Sequence, residues 1–504
     1  MYVTVLSALP HGLDGRLVEV QCDVSGGHPP GSLYISGLAA ASIREARDRI
    51  PLAFRNCGLE FPKRRALINL APAELRKDGA ALDLPMAVAT WFAGQGRVPP
   101  EGVAFLGQLG LDGSVRHVEG VLIAALRLRA AGVRELYVAQ ADGAEAALAA
   151  GLAVRPCRDL GQVLSSLTGV EPPPEADLPP RAPEVADAAL DDLAEVQGQE
   201  EARRALEVAA AGGHHLLLSG PPGAGKTMLA RCLPGLLPPL LHDEALELTK
   251  VRSLLGDLPE GAPVDWRRPF HSPHHGISVA GLIGGGAGLA RPGEISRAHR
   301  GVLFLDELSE FNSAALQALR QPLESGRVTI TRAAGTVTYP ARFQLVAATN
   351  PCSCGWSGDP SGRCRCTPAA VQAYQRALSG PLLDRIDLRV RVSRLPLTAL
   401  SSGLAQETSA EVRRRVEAVR SCQLARQGCL NSALRAPGLR RFARLSAGSL
   451  RLLEQWGASG ELTARGFHRA WRVARTLADL EEAADVGERH VLEALGYRMA
   501  EAAA

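Results

Sequence analysis

The residues best suited to chemistry begin with HLLLSGPPGAGKTMLARCL, residues 215–233. An apolar run, Leu216 to Leu218, leads into Gly220, Pro221, Pro222, Gly223, Ala224, Gly225, Lys226 and Thr227, and a helical pattern follows. This satisfies G-x-x-x-x-G-K-[ST] in a strand-loop-helix setting, where glycines let backbone N–H groups wrap phosphates. Lys226 is then placed to reach the β/γ oxygens of ATP, and the Thr227 hydroxyl to ligate Mg²⁺. Downstream, GVLFLDE is an apolar strand ending in Asp306 and Glu307. An acid at that strand end can hold the Mg²⁺, and the next carboxylate can polarise the attacking water. A further strand, FQLVAAT, ends in Asn350, whose amide can orient water near the γ-phosphate.

Directly after Asn350, PCSCGWSGDPSGRCRC places Cys352, Cys354, Cys364 and Cys366 in sixteen residues. Four thiolates suit tetrahedral zinc in a closed structural site with no position left for a catalytic water. C-x-C spacing is less typical than C-x₂-C, so reduced thiols or an iron–sulfur or redox role stand as alternatives. The expected role is to pin the loop between Asn350 and Arg385. His271, His274 and His275 in HSPHHG have spacings that could suit a metal, but no cysteine or acid nearby in sequence completes a set, so a packed or hydrogen-bonded role is favoured.

The elements that must position these groups follow from length and pattern. A chain of 504 residues is too long for one core, and two or three domains are expected. A formal net charge of +3 is nearly balanced, so any nucleic-acid role has to come from local basic surfaces. No apolar run of about 18 residues appears, and the N-terminus lacks a signal-peptide pattern, so a cytoplasmic protein without membrane association is expected. In that compartment thiols stay reduced, and the scattered Cys22, Cys57, Cys157, Cys232, Cys422 and Cys429 are read as small core residues.

The segment EPPPEADLPPRAPEVAD, 171–187, has no hydrophobic period and reads as a linker. The chain therefore divides into an α/β domain over 1–168, a Pro-rich linker over 169–188, an α/β core over 189–395 and a small helical domain over 396–504. Within the core, RVTITRAAGTVTYPARF reads as a hairpin of strands 327–332 and 336–339.

The phosphate loop, LFLDE, AATNP, GPLLDRIDL and LTARGFHRAWRVARTLADL together resemble the magnesium-chelatase-like group of AAA+ ATPases, and nearly the whole chain is similar to the ComM (YifB) family of competence proteins. That resemblance implies a P-loop α/β core with a helical lid, assembled as a homo-hexameric ring with ATP at subunit interfaces. It also implies a DNA helicase that drives branch migration in homologous recombination and natural transformation, acting on single-stranded and branched DNA with recombination proteins as partners. By the same resemblance Arg385 matches the arginine finger offered to a neighbour's γ-phosphate, and Arg465 the nucleotide-sensing lid arginine. Read from the residues alone, Arg385 between Asp384 and Asp387 is a surface ion pair. Arg469 and Arg472, on one helix face with Arg465, read as a solvated stripe. In related ATPases the hairpin projects into the pore, which makes Arg332 near its tip the DNA-contact candidate.

Residues 1 to about 165 resemble the proteolytic domain of Lon. That chemistry needs a serine activated by a desolvated lysine. Ala81 stands at the serine position and Leu122 at the lysine position, so proteolysis is not expected. Lys77 reads as a solvated loop charge. The competing readings are the motor subunit of a metal chelatase and a protein-remodelling scaffold.

Overall fold

A computed structural model describes residues 1–26, 31–37, 40–74, 77, 79–170, 174–177, 191–258, 264–286, 288–360, 362–378, 382–394, 406–458 and 463–499. Most of the expected linker and the expected boundary at residue 396 lie outside them.

The N-terminal part is built on a seven-stranded sheet. Its strands are β1 (Tyr2–His11), β2 (Asp14–Ser25), β3 (Leu33–Ser36), β4 (Arg65–Ala71), β5 (Val103–Phe105), β8 (Glu135–Ala139) and β9 (Ala153–Cys157), in the order β3-β4-β2-β1-β5-β8-β9. A separate two-stranded ladder joins β6 (Gln108–Leu109) and β7 (Val115–Arg116). Period-two alternation drives β2, where Val18, Val20, Cys22 and Val24 face the core and their neighbours face outward. Helices Asp83–Gln95 and Val121–Ala130 cover the sheet. Ala81 and Leu122 are both buried, Ala81 in the apolar core of this part.

Lys77 corrects its sequence reading. It is buried, and its ammonium donates to the carbonyls of Gly37 at 3.2 Å, Leu70 at 2.8 Å and Pro72. No loop charge exposed to solvent would gather three carbonyls; this one ties the end of β4 to the turn after β3.

The core contains a five-stranded parallel sheet of β11 (Phe270–His271), β14 (Val302–Leu305), β17 (Gln344–Thr349), β10 (Leu216–Ser219) and β18 (Leu388–Arg391), in that order. Successive side chains alternate between two hydrophobic cores. Leu216, Leu218, Phe304, Val346 and Ala348 join one, and Leu217, Leu303, Leu305, Leu345 and Ala347 the other. A parallel sheet covered on both faces explains why these strands read as continuous apolar runs. Two short ladders complete the core, β12 (Gly284–Gly285) with β13 (Arg291–Pro292), and the hairpin of β15 (Arg327–Arg332) with β16 (Gly335–Pro340).

The C-terminal part is helical. Helix Ser409–Gln427 starts at a capping box of Thr408 and Glu411, and helix Ala464–Leu480 at the cap Thr463, whose hydroxyl accepts from Gly466 N. Val412, Val416, Val473 and Leu477 enter the same core as Leu216 and Val346, so the lid is packed directly on one face of the sheet. Cys22, Cys157 and Cys232 are core residues as expected, and Cys57 and Cys429 are half-buried. Cys422 is exposed on helix Ser409–Gln427, which corrects its reading as a core residue.

The N-terminal part rests on helix His242–Leu255 of the core. The Glu145 carboxylate accepts from Leu122 N at 2.7 Å and from the Ser253 hydroxyl at 2.6 Å, and Gly120 N donates to Ser253 O at 2.9 Å. Arg291 of β13 pairs with Glu119 and also donates to Leu254 O at 3.0 Å.

Candidate nucleotide site and arginine cleft

The phosphate loop leaves the C-terminal end of β10 and closes into helix Lys226–Leu236. Gly223 and Gly225 have φ of +73° and +90°, a left-handed backbone that turns successive N–H groups to one side. A Cβ at Gly220 would lie 2.1 Å from Val392 O, so only glycine allows the loop to pass β18.

The structure brings five of the predicted groups together here. Lys226 donates to Gly220 O at 2.6 Å, Pro221 O at 3.0 Å and the Asn350 amide oxygen at 3.1 Å. Burial draws the Lys226 ammonium below its usual range, opposed by the charges of Asp306 and Glu307. The Thr227 hydroxyl donates to Asp306 Oδ2 at 2.9 Å, and Glu307 N donates to Asp306 Oδ1 at 2.9 Å. Parallel strands β10, β14 and β17 deliver Lys226, Asp306 and Asn350 to one rim because each group follows the same end of its strand. The donor set fits a magnesium nucleotide: an ammonium and backbone N–H groups for phosphate, with a hydroxyl and a carboxylate side by side for a hard cation.

The four-cysteine loop abuts this rim. Cys352 Sγ is 3.4 Å from Cys354 Sγ and 3.9 Å from Cys364 Sγ, Cys354 Sγ is 3.7 Å from Cys364 Sγ, and all four sulfurs lie within 4.8 Å of one another. A tetrahedron with Zn–S of about 2.3 Å has S–S edges of about 3.8 Å, so the cluster has zinc-site dimensions. Backbone N–H groups of Arg365 and Trp356 bring the Cys354 thiol down to about 6. The next residue along, Gly355, packs on the phosphate loop: a Cβ there would sit 2.8 Å from Pro222 Cδ. Among the described residues this is the one place where three or more His, Cys, Asp or Glu side chains come close enough to share a metal ion.

The histidines meet acids that sequence distance concealed. His271 Nδ1 is 3.0 Å from Glu294 Oε2, and His275 Nδ1 is 3.4 Å from Glu307 Oε2. The three rings do not converge on one point that could hold a metal.

Arg385 sits at the other end of the sheet. It precedes β18, which is parallel to β10 with Leu388 opposite Leu216, whereas the phosphate loop follows Ser219. At about 3.3 Å per residue the two lie on the order of 20 Å apart. Arg385 is buried and pairs with Glu324 of helix Arg320–Ser325.

Beside Arg385 opens a cleft of about 1010 Å³ between the sheet end and the lid, lined by Arg385, Arg420, Arg465, Arg469, Arg472 and Asp387 among others. Arg465 is exposed on the first turn of helix Ala464–Leu480. The solvated-stripe reading of Arg469 and Arg472 is corrected. Arg469 pairs with Asp387 at 3.4 Å, Arg472 donates to Leu434 O at 2.7 Å, and burial lowers both guanidinium pKa values. Burial would raise the Asp387 carboxyl, but His214 at 3.5 Å and Arg469 hold it far below the usual range. Arg420 was missed altogether. It donates to Ala210 O at 2.8 Å and burial brings it to about 9. Helical spacing shows which residues share a face, not which face meets another element.

Arg332 is exposed at the hairpin tip, where its pairing partner is Gly335. No helix among the described residues is long and apolar enough to cross a membrane.

A P-loop parallel sheet with carboxylates at the end of β14 and a helical lid defines an AAA+ ATPase fold, and similar known proteins sharpen that class. Residues 192–400 match the family described as magnesium chelatase, subunit ChlI; residues 20–142 match subunit ChlI of Mg-chelatase; residues 406–498 match the ChlI C-terminal family. The chain is 41% identical to YifB of Escherichia coli over 97% of this chain and 95% of that one. It is 40% identical to competence protein ComM of Haemophilus influenzae over 98% and 97%. An uncharacterized Mycobacterium tuberculosis protein is 44% identical over 98% and 97%. The chain belongs to the ComM/YifB family of magnesium-chelatase-like AAA+ proteins.

Proposed function

We propose that this protein is an ATP-driven DNA motor, a homo-hexameric helicase that migrates branched junctions during homologous recombination and natural transformation in the cytoplasm. The observation that carries the reading is the split nucleotide site. Lys226, Thr227, Asp306, Glu307 and Asn350 share one rim, while Arg385 and Arg465 line a cleft at the opposite end of the sheet. A chain so divided completes its site only against a second copy, which supplies arginines to the neighbour's γ-phosphate. Closing that repeat gives a ring.

In the chemical step Glu307 accepts a proton from the attacking water while Asn350 orients it and Lys226 and the phosphate loop hold the β/γ-phosphates; Asp306 and Thr227 would hold Mg²⁺, which would offset the phosphate charge. Cys352, Cys354, Cys364 and Cys366 would hold zinc, which would fix their loop and supply no chemistry. Arg332 on the hairpin contacts the DNA backbone. The link to DNA rests on the likeness to ComM, whose name states a role in competence. The matches to magnesium chelatase favour a second reading, the motor subunit of a chelatase or protein-remodelling complex.

The test is ATP-dependent migration of a labelled three-strand or four-way junction. The wild type is expected to resolve it, and Lys226→Ala and Glu307→Gln to leave it intact. ATP hydrolysis with every junction untouched would favour the chelatase or remodelling reading.

A further inference from the structure

The four-cysteine loop carries an aromatic ring that neither the nucleotide rim nor the hairpin uses. Trp356 follows Cys354 by two residues and is half-buried. The loop that presents it is fixed on both sides of the ring. Ser357 N donates to Cys352 Sγ at 3.2 Å, Gly355 lies against Pro222, and Arg391 of β18 donates to Gly358 O at 2.7 Å. Gly358 has φ +68°, and a Cβ there would collide with the Arg391 guanidinium, so the loop closes onto β18 only with glycine at this turn.

Two guanidinium groups flank the indole. Cζ of Arg363 lies 5.1 Å and Cζ of Arg394 5.4 Å from the ring centroid. Arg363 belongs to the loop and Arg394 to the segment after β18, so the fold alone brings them to one ring. Beside the ring opens a surface cavity of about 600 Å³, lined by Cys354, Trp356, Gly362, Arg363 and Arg365. Arg363, Arg365 and Arg394 are exposed, and their side chains make no ion pair or hydrogen bond to a described residue. Across residues 351–366 the one carboxylate is that of Asp359. An aromatic face in a cavity rimmed by cations fits a ligand that is both flat and anionic.

We propose that Trp356, with Arg363, Arg365 and Arg394, forms a binding site for single-stranded nucleic acid, separate from the hairpin, in which a base stacks on the indole and the guanidinium groups take the flanking phosphates. Every base has a π-face, so such stacking tolerates any sequence, and guanidinium matches phosphate oxygens in bidentate geometry. The arriving base displaces a guanidinium from the ring, and that group gains a phosphate in exchange. Paired bases present their edges and not their faces, so the site selects unpaired strand. An acidic peptide would meet the arginines and leave the ring without a π partner. The class of ligand deepens the DNA-motor reading and rests on it.

The experiment titrates a fluorescein-labelled single-stranded oligonucleotide of mixed sequence with the full chain across a salt series, reading anisotropy. Wild type is compared with Trp356→Ala, Trp356→Phe, and Arg363→Ala combined with Arg394→Ala. Trp356→Ala is expected to weaken binding about ten-fold with the salt slope unchanged, the loss of one base stack. Trp356→Phe keeps a ring and should recover most of that affinity. The double arginine variant should flatten the plot of log K against log[salt] by about 1.4, the loss of two phosphate contacts to a single strand. Unlabelled oligonucleotide should quench indole fluorescence in the wild type, and Trp356→Phe should abolish the quenching.

Affinity and slope unchanged in these variants, or quenching that survives Trp356→Phe, overturns the proposal. Equal quenching by thymidine monophosphate at the same nucleotide concentration would assign the ring to free nucleotides and overturn it as a strand site. If Trp356→Ala does not fold, the double arginine variant, which leaves the sulfurs and glycines of the loop in place, decides by its salt slope. A wild type that binds no strand overturns the site and the motor reading together. Strand binding that every variant retains strikes this site alone and leaves the motor reading standing.

Discussion

Lys226 and Arg385 stand at opposite ends of two adjacent parallel strands: Lys226 follows the C-terminal end of β10, and Arg385 precedes β18, whose Leu388 pairs with Leu216. One chain cannot bring both to one phosphate. Arg385→Ala is therefore expected to lower ATP turnover by about 10³-fold while leaving ATP binding intact. Mixing inactive Lys226→Ala and Arg385→Ala chains should restore part of the activity, because some interfaces then combine an intact Lys226 with an intact Arg385. Steady-state turnover against mixing ratio checks this; no recovery at any ratio would place Arg385 outside the neighbour's site.

The cysteine loop gives a second prediction. Elemental analysis of protein purified without chelator should find about one zinc per chain, as four sulfurs with tetrahedral spacing require. Cys352→Ser with Cys364→Ser should abolish it. Because Gly355 packs on Pro222, the same variant should raise KM for ATP several-fold more than it lowers kcat.

A third prediction concerns acid stability. His299 Nδ1 accepts from Arg342 N at 3.1 Å, which leaves Nε2–H to donate to Glu247 at 2.9 Å. This bond and Arg300 depress the Glu247 carboxyl to about 2 from an ordinary value of 4.5. A carboxyl depressed in the folded state contributes stability that is present above its unfolded pKa and is lost as pH falls from about 4.5 towards 2. Glu247→Gln should flatten that limb of the thermal-unfolding profile and lower Tm at neutral pH; an unchanged limb would show that the pair contributes nothing.

The buried ammonium of Lys77 makes a fourth. Lys77→Ala leaves the Gly37, Leu70 and Pro72 carbonyls without this donor, and should cost about 2–4 kcal/mol in the urea unfolding of the N-terminal part. Circular dichroism resolves this. Lys77→Met should be no milder, because the missing group is the donor and not the stem.

The nucleotide rim was legible in the sequence because its chemistry is local. Gly220 to Thr227, Asp306 with Glu307, and Asn350 each follow an apolar strand by a fixed short offset, and parallel strands bring such offsets to one edge whatever separates them in the chain. The hairpin and the four-cysteine loop were legible for the same reason, since their partners lie within a few residues. What tertiary structure alone decided were the contacts made across elements. It turned Lys77 inward onto three carbonyls, set Arg469 on Asp387, left Cys422 outside and drew Arg420 into the cleft. It also placed His275 on Glu307. Periodicity fixes the face a side chain occupies, but its burial and its partner depend on which other element covers that face, and that is set by packing of the whole chain.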